Sequence, residues 1–381
     1  MLDARPGEGD APDALVSRGW AGFLLSLTDA QLAAIEVEGH EATWPGDTPP
    51  SLLALVKKAR DVCGIPAFTA PSGPLGPARK RETPRKRAQV DAFARLILPL
   101  SAHAARVVDV GSGHGHLTRA IAERIALPVV GLERDVTLAG RARMLSSGAD
   151  ASPTFAVTDV LRDGLALAAG DCVIGLHACG ELGDAMVSTV ARCGASLALV
   201  GCCLQKRRTT SRTPLCSAPG LDDALDLPRG LLGLSNLTAR EEGVEATRVE
   251  NLAARVRRLA LHRLLAGAGC SLRLGAEIEG LNRRAAQGDL DVLVARAFAL
   301  RELSPPTPRA FEEAAAWAST QHARTRRLSL PRAMLARALE VFVLLDRAVY
   351  LEEHGFAVSI GTLFPETVSA RNLALIANRL G

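Results

Sequence analysis

The sequence is poor in aromatic side chains. Phe, Trp and Tyr make up 3% of its 381 residues, and Tyr350 is the only tyrosine. That scarcity argues against a stacking platform for single-stranded nucleic acid, which needs several exposed rings. Lysine is scarce too: Lys57, Lys58, Lys80, Lys86 and Lys206 stand against forty arginines. The arginine excess suits phosphate recognition, although alanine is also abundant and a compositional bias explains both. Net charge is only +4, so no single-signed field points to a partner. The eight cysteines include no C-x-x-C pair, and a chain of this size needs no disulfide staples. The N-terminus, Met1-Leu2-Asp3-Ala4-Arg5-Pro6, lacks the basic and apolar regions of a signal peptide. No apolar run approaches the ~18 residues of a membrane span. A reduced, cytoplasmic protein without membrane contact is expected.

What is present is a large potential core, since 48% of the residues are hydrophobic. That excludes global disorder. Residues 1–70 read as a helical module. Residues 71–85 form a linker, Pro/Gly-rich and then basic. Residues 86–215 alternate short apolar strands with helices, which implies right-handed crossovers and a doubly wound parallel sheet. Its strands are Arg106–Val110, Pro128–Glu133, Thr154–Thr158, Cys172–His177 and Leu197–Cys202. From 216 to 347 the strand signal gives way to Arg/Ala/Leu helices, with Pro308–Thr325 and Pro331–Tyr350 as separate elements. Residues 348–381 return to strand, a hairpin that completes the sheet. The expected fold is therefore α/β, Rossmann-like and mostly parallel with the last strand antiparallel. It carries an N-terminal helical module and a helical insertion.

The first strong motif is Val107-Val108-Asp109-Val110-Gly111-Ser112-Gly113-His114-Gly115-His116. A strand runs into three glycines and then a helix, and glycines let a backbone approach a ligand that a Cβ would exclude. The spacing is G-x-G-x-G rather than the G-x-G-x-x-G of dinucleotide enzymes. The preceding acid, Asp109, suits a cationic group such as an amino-acid ammonium better than a pyrophosphate. Glu133 ends the second strand, where a carboxylate can accept two ribose hydroxyls. Asp159 follows the third, where it can meet an adenine amino group. A glycine turn alone is often only a tight connection; three acids at three strand ends make that reading improbable.

As a set these residues resemble a class I S-adenosylmethionine-dependent methyltransferase over about residues 86–205. The resemblance implies S-adenosyl-L-methionine as cofactor. Asp109, Gly111, Ser112, Gly113, Gly115, His116, Glu133, Asp159 and Val160 would bind it.

A second signature, Gly175-Leu176-His177-Ala178-Cys179-Gly180, sits at the end of strand four. Val200-Gly201-Cys202-Cys203-Leu204-Gln205-Lys206 follows at the end of strand five. Catalytic groups of this architecture lie at such ends. The pattern resembles the methyltransferase-like proteins once called ribosomal RNA adenine dimethylase domain-containing proteins. It resembles more distantly the tRNA acceptor-stem ribose 2′-O-methyltransferases. Trp44-Pro45 with Ser51-Leu52, and Leu363-Phe364-Pro365 with Ser369-Ala370-Arg371-Asn372, extend the first resemblance to both ends. Ala370 and Leu204 depart from the usual Pro and aromatic residue. The Asn/Asp-Pro-Pro-Tyr/Phe motif of exocyclic-amine methylation is absent after strand four.

Several chemistries remain open for His177, Cys179, Cys202 and Cys203. His177 titrates near neutrality and can act as general base, with Cys179 and Cys202 shaping the acceptor site. A metal set of one His and three Cys is conceivable, but adjacent strand cysteines face opposite sides. No metal is therefore expected. A cysteine nucleophile of the Pro-Cys type lacks its dipeptide. Cys172, Cys193 and Cys270 read as small buried hydrophobes. The runs Arg79–Arg87 and Lys206–Arg212 offer phosphate contacts. The expected substrate is RNA, with tRNA favoured. A protein or small-molecule substrate, or a catalytically silent cofactor-binding scaffold, are the alternatives. The oligomeric state is open.

Overall fold

The computed structural model describes residues 10–69, 79, 82–147, 152–218, 225–236, 248–282 and 284–380. Met1–Pro6, the Pro/Gly stretch of the expected linker, Lys80 and Arg81 lie outside them. The chain packs as two compact units, residues 58–239 with 335–381 and residues 1–57 with 240–334.

The larger unit is built on a seven-stranded sheet. Its strands are β1 (Arg106–Val110), β2 (Val129–Glu133), β3 (Thr154–Val157), β4 (Asp171–Cys179), β5 (Ser196–Cys202), β8 (Phe356–Thr362) and β9 (Leu373–Arg379). A two-stranded ribbon, β6 (Ser211–Arg212) with β7 (Leu227–Pro228), lies apart from it. The sheet order is β3-β2-β1-β4-β5-β9-β8. β1 to β5 pair in parallel, and β9 runs antiparallel to both β5 and β8. This is the Rossmann-like sheet of class I methyltransferases, with the antiparallel last strand expected from the sequence.

Side chains alternate across the sheet as a period of two requires. Val108 and Val110 of β1, Val173 of β4, and Leu197 and Leu199 of β5 face the Glu181–Cys193 helix. Val341, Leu344, Ala348 and Leu351 of the Pro308–Glu353 helix cover the same face. Val107, Cys172, Ile174, Ala198 and Val200 face the Pro84–Ser101 and His116–Ala122 helices, packing on Val90, Phe93, Ile97 and Ile121. Each fully buried aliphatic side chain contributes about 1.5–3 kcal/mol, so both faces hold the strand ends in place. The Pro84–Ser101 helix starts where its sequence dictates. Thr83 Oγ1 accepts from the Lys86 N–H at 3.2 Å, and Pro84 opens the first turn.

The smaller unit is all-helical within its described residues. Trp20, Leu24, Leu32, Ile35, Leu52 and Val56 share a core with Leu328, Leu330 and Met334. Thr28 closes a capping box with Gln31 at the start of Asp29–Glu38. Arg248 and Arg326 both pair with Glu36. A second core gathers Leu261, Leu265, Leu293, Val294 and Phe298. One expectation fails: a single helix, Pro308–Glu353, replaces the two expected on either side of Pro331. A proline inside a helix removes one hydrogen bond, and here Leu328, Leu330 and Met334 anchor both sides of it in one core.

Candidate active site

β1 delivers Asp109 and then the glycine loop. Gly111, Gly113 and Gly115 have φ of +75°, +56° and +71°, a region nearly closed to other residues. A Cβ at Gly115 would stand 2.6 Å from the Phe155 ring, so that glycine is needed for helix-on-sheet packing. A Cβ at Gly113 would meet no atom within 4 Å, leaving that stretch of backbone open to a ligand. Ser112 Oγ is buried and has no hydrogen-bond partner. Glu133 joins the end of β2 to the loop: its Oε2 accepts from the Gly113 N–H and its Oε1 from the Asp135 N–H, both at 2.9 Å. A carboxylate has about four acceptor positions, so two remain for hydroxyls. The open glycine, the unpartnered hydroxyl and the spare acceptors fit a nucleoside-bearing cofactor.

Asp109 lies beneath this loop at 2% exposure. Its Oδ2 accepts from Thr118 Oγ1 at 2.6 Å. Burial pushes its carboxyl up to about 6, against the pull of the Thr118 hydrogen bond and of Lys86. Asp159 is half-buried and caps the Val160–Asp163 turn, accepting from the Leu161 N–H at 3.2 Å. Val160 itself is buried in the sheet core. His116 opens its helix with Nδ1 3.1 Å from Arg119 Nη2. Burial, then Arg119, lowers its pKa to about 4.

The far side of the site is set by a bulge in β4. Pairing to β5 shifts register between Leu176 and Ala178, and His177 adopts φ +70° there. Its Nε2 is 3.2 Å from Gln89 Oε1, while Nδ1 is buried and without a partner. Because an amide oxygen only accepts, Nε2 carries the hydrogen and Nδ1 presents a lone pair. Burial, then the charges of Lys86, Arg371 and Arg85, lowers the His177 pKa to about 3. The expectation that His177 titrates near neutrality is therefore corrected: it is neutral at physiological pH.

The cysteines converge more closely than strand geometry suggests. Cys179 and Cys202 are register partners on β4 and β5, with their sulfurs 3.0 Å apart. Both lie within 3.4 Å of the His177 carbonyl oxygen. Cys203 is past the end of β5 with φ +43°. That left-handed step turns its sulfur back, and all three sulfurs fall within 4.8 Å of one another. The expected opposition of Cys202 and Cys203 thus does not hold. Hydrogen bonding among the thiols, and burial, keeps Cys202 protonated well above the usual thiol range. The Cys202 hydrogen bond, with Arg371 and Lys206, holds Cys203 down to about 5.

Gln89 escaped the sequence reading, and Lys86 entered it only as part of the basic run Arg79–Arg87. Lys86 is largely buried, and burial lowers its pKa against the charges of Asp109, Glu82 and Cys202. Gln89, one turn later, is 5% exposed and holds His177. Their i, i+3 spacing places both on one helix face. Lys86 had a signal in retrospect: a lysine in a chain that otherwise uses arginine eight times more often.

Several arginines of the basic runs are already paired among the described residues. Arg79 is buried against Glu82 and Glu123, and Arg85 donates to the Val368 carbonyl. Arg207, Arg212 and Arg347 all converge on Asp184, and Arg212 also pairs with Asp346. Expected phosphate contacts at Arg79, Arg207 and Arg212 are thereby taken up inside the fold. Lys206 and Arg208 remain on the surface, Arg208 beside Glu181.

Residues 85–210 match a family model described as "Methyltransferase domain". Among solved structures the chain is similar to magnesium protoporphyrin IX methyltransferase from Synechocystis PCC 6803 with bound SAH, at 22% identity and TM-score 0.27, covering 32% of this chain and 61% of that one. It is similar to a TehB-like SAM-dependent methyltransferase from Corynebacterium glutamicum at 16% identity and TM-score 0.24, covering 28% and 60%. It is similar to the plantazolicin methyltransferase BpumL at 9% identity and TM-score 0.32, covering 95% and 100%. The chain spans about three fifths of the length of the first two. Residues 85–210 thus match a methyltransferase domain, and the sheet order, the glycine loop and the acids at strand ends are those of the Rossmann-like class I fold.

Proposed function

We propose that the protein is an S-adenosylmethionine-dependent methyltransferase acting on RNA. The observation that carries the first part is Glu133 bound at 2.9 Å to the open Gly113 backbone, with spare acceptor positions. Gly111 to Gly115, Ser112 and Glu133 would hold the amino-acid and ribose parts, and Asp159 with Val160 the adenine. Asp109 fixes the loop through Thr118 and supplies a buried charge beneath it. The cofactor supplies an already activated methyl group, so the chain's task is to position the acceptor.

His177 is suited to that task by its neutrality. Gln89 fixes its tautomer, and the Nδ1 lone pair can accept a hydrogen bond from the acceptor's O–H or N–H. Such a bond orients the nucleophile, and solvent can take the proton once the methyl has moved. Lys86 places a positive charge among Asp109, His177 and Cys202, keeping the buried acid and thiols from leaving net negative charge at the site.

Support for RNA comes from the resemblance in the His177-Ala-Cys179-Gly180 and Cys202-Cys203 signatures and from Lys206 and Arg208 exposed past β5. The test is methyl-labelled S-adenosylmethionine offered with bulk tRNA, peptides or small amines. Label should enter RNA. Binding should weaken with salt, and Lys206→Ala with Arg208→Ala should reduce the salt slope by about one to two. Label confined to a non-RNA acceptor, or RNA binding indifferent to salt, would reject the RNA assignment and leave methyl transfer standing.

A further inference from the structure

We propose that Cys179, Cys202 and Cys203 bind one soft divalent cation of the zinc class, with the fourth coordination position open. Three thiol sulfurs from two adjacent strand ends lie within 4.8 Å of one another. Around one zinc at ~2.3 Å, tetrahedral sulfurs lie about 3.8 Å apart. The Cys179–Cys202 separation of 3.0 Å and the outer limit of 4.8 Å bracket that value. Shifts of about an ångström would close the set.

The backbone goes out of its way to make this cluster. His177 and Cys203 are two of only three non-glycine residues with positive φ among the described residues. Such conformations cost of order 1–3 kcal/mol each and persist where the surroundings enforce them. At His177 the bulge sets the carbonyl toward Cys179 and Cys202. At Cys203 the left-handed step brings in the third sulfur. An apolar core packing of three cysteines requires neither.

Charge supports a cation of this class. Three thiolates around a divalent ion leave one net negative charge, and Lys86, Lys206 and Arg371 stand around the cluster to balance it. Sulfur donors select zinc or copper(I) over magnesium or calcium. No fourth His, Cys, Asp or Glu joins the set among the described residues. Three protein ligands and an exchangeable position are the pattern of catalytic rather than structural zinc. Cys202 and Cys203 also line a cavity with Gly201, Leu204, Leu344 and Leu373. The site therefore adjoins the expected acceptor side of the methyltransferase domain, but its occupancy does not depend on which acceptor is used.

The test uses the full-length protein, reduced and stripped of metal under anaerobic conditions, then titrated with Co2+ and back-titrated with Zn2+. One Co2+ per chain is expected, with tetrahedral d–d bands and a thiolate charge-transfer band that Zn2+ abolishes. Cys203→Ser should weaken cobalt by more than the roughly 10–100-fold that loss of an outer-sphere partner costs, and should remove about a third of the charge-transfer intensity. Cys270→Ser, in the other unit, should change neither. Alkylation mapping of the unaltered chain covers the case in which a variant misfolds. Zn2+ should protect Cys179, Cys202 and Cys203 while leaving the labelling of Cys216 unchanged. Absence of a charge-transfer band at stoichiometric Co2+, or alkylation of the three cysteines indifferent to Zn2+, would overturn the proposal.

Discussion

Asp109→Asn is expected to make the protein more stable and less able to bind S-adenosylmethionine. The Asp109 carboxyl is 2% exposed and raised by burial to about 6. Its folded value lies above the unfolded one. Its favourable contribution is thus fully present below about pH 4, is lost as pH rises through 6, and is absent at pH 7.5. About two units correspond to ~3 kcal/mol of penalty on the charged form. Asparagine keeps an acceptor for Thr118, so the 2.6 Å hydrogen bond survives in neutral form. The attraction of Lys86 is already contained in that raised value, but the new amide NH2 is buried without a partner, which offsets part of the gain. The net expectation is ~1–2 kcal/mol of added stability at pH 7.5, falling to about half of that near pH 5 and towards zero below about pH 4. Urea denaturation of both proteins across that range measures it, and calorimetry at pH 7.5 should show weaker cofactor binding. A variant less stable than the wild type at pH 7.5, or a stability difference flat from pH 5 to 7.5, would refute the reasoning.

Two further substitutions probe the rest of the domain. His177→Ala should leave S-adenosylmethionine affinity within about twofold while removing most turnover, since the ring faces Gln89 and not the glycine loop. The wild-type rate should show no inflection near pH 6.5, because His177 is held near 3; equal loss of affinity and turnover would make the residue structural. Asp184→Asn removes the buried carboxylate that Arg207, Arg212 and Arg347 share, leaving Asp346 beside Arg212. Losing one partner of a buried ion pair costs about 3–5 kcal/mol, and a loss below about 1 kcal/mol in urea denaturation would show that the arginines find other partners.

The sheet was legible because each strand announces itself. Val107–Val110, interrupted only by Asp109, and Leu197–Val200 are apolar runs bounded by turns, as burial on both faces demands. The glycine loop and its acids were legible for a related reason: φ values of +75°, +56° and +71° leave little choice but glycine. Pro331 misled because local propensity points to a break while a shared core overrides it. Lys86 and Gln89 were hidden by sequence distance, 91 and 88 residues before His177, and Lys86 lies in a basic run that reads as phosphate contacts. The fate of Arg207 and Arg212 was hidden likewise: Asp346, 134 residues beyond Arg212, lies in a helix with no motif of its own. The convergence of Cys203 with Cys179 and Cys202 depends on one positive φ that no pattern of residue types marks.

The central claim is that Gly111 to Gly115 and Glu133 form a site for S-adenosylmethionine. Isothermal titration of the full-length protein with S-adenosylhomocysteine, alongside Glu133→Ala, tests it most directly. The account predicts one site per chain with micromolar affinity or better, weakened at least about tenfold by the substitution as two acceptor contacts are lost. Absence of heat up to millimolar ligand, or binding that Glu133→Ala leaves untouched, would contradict it.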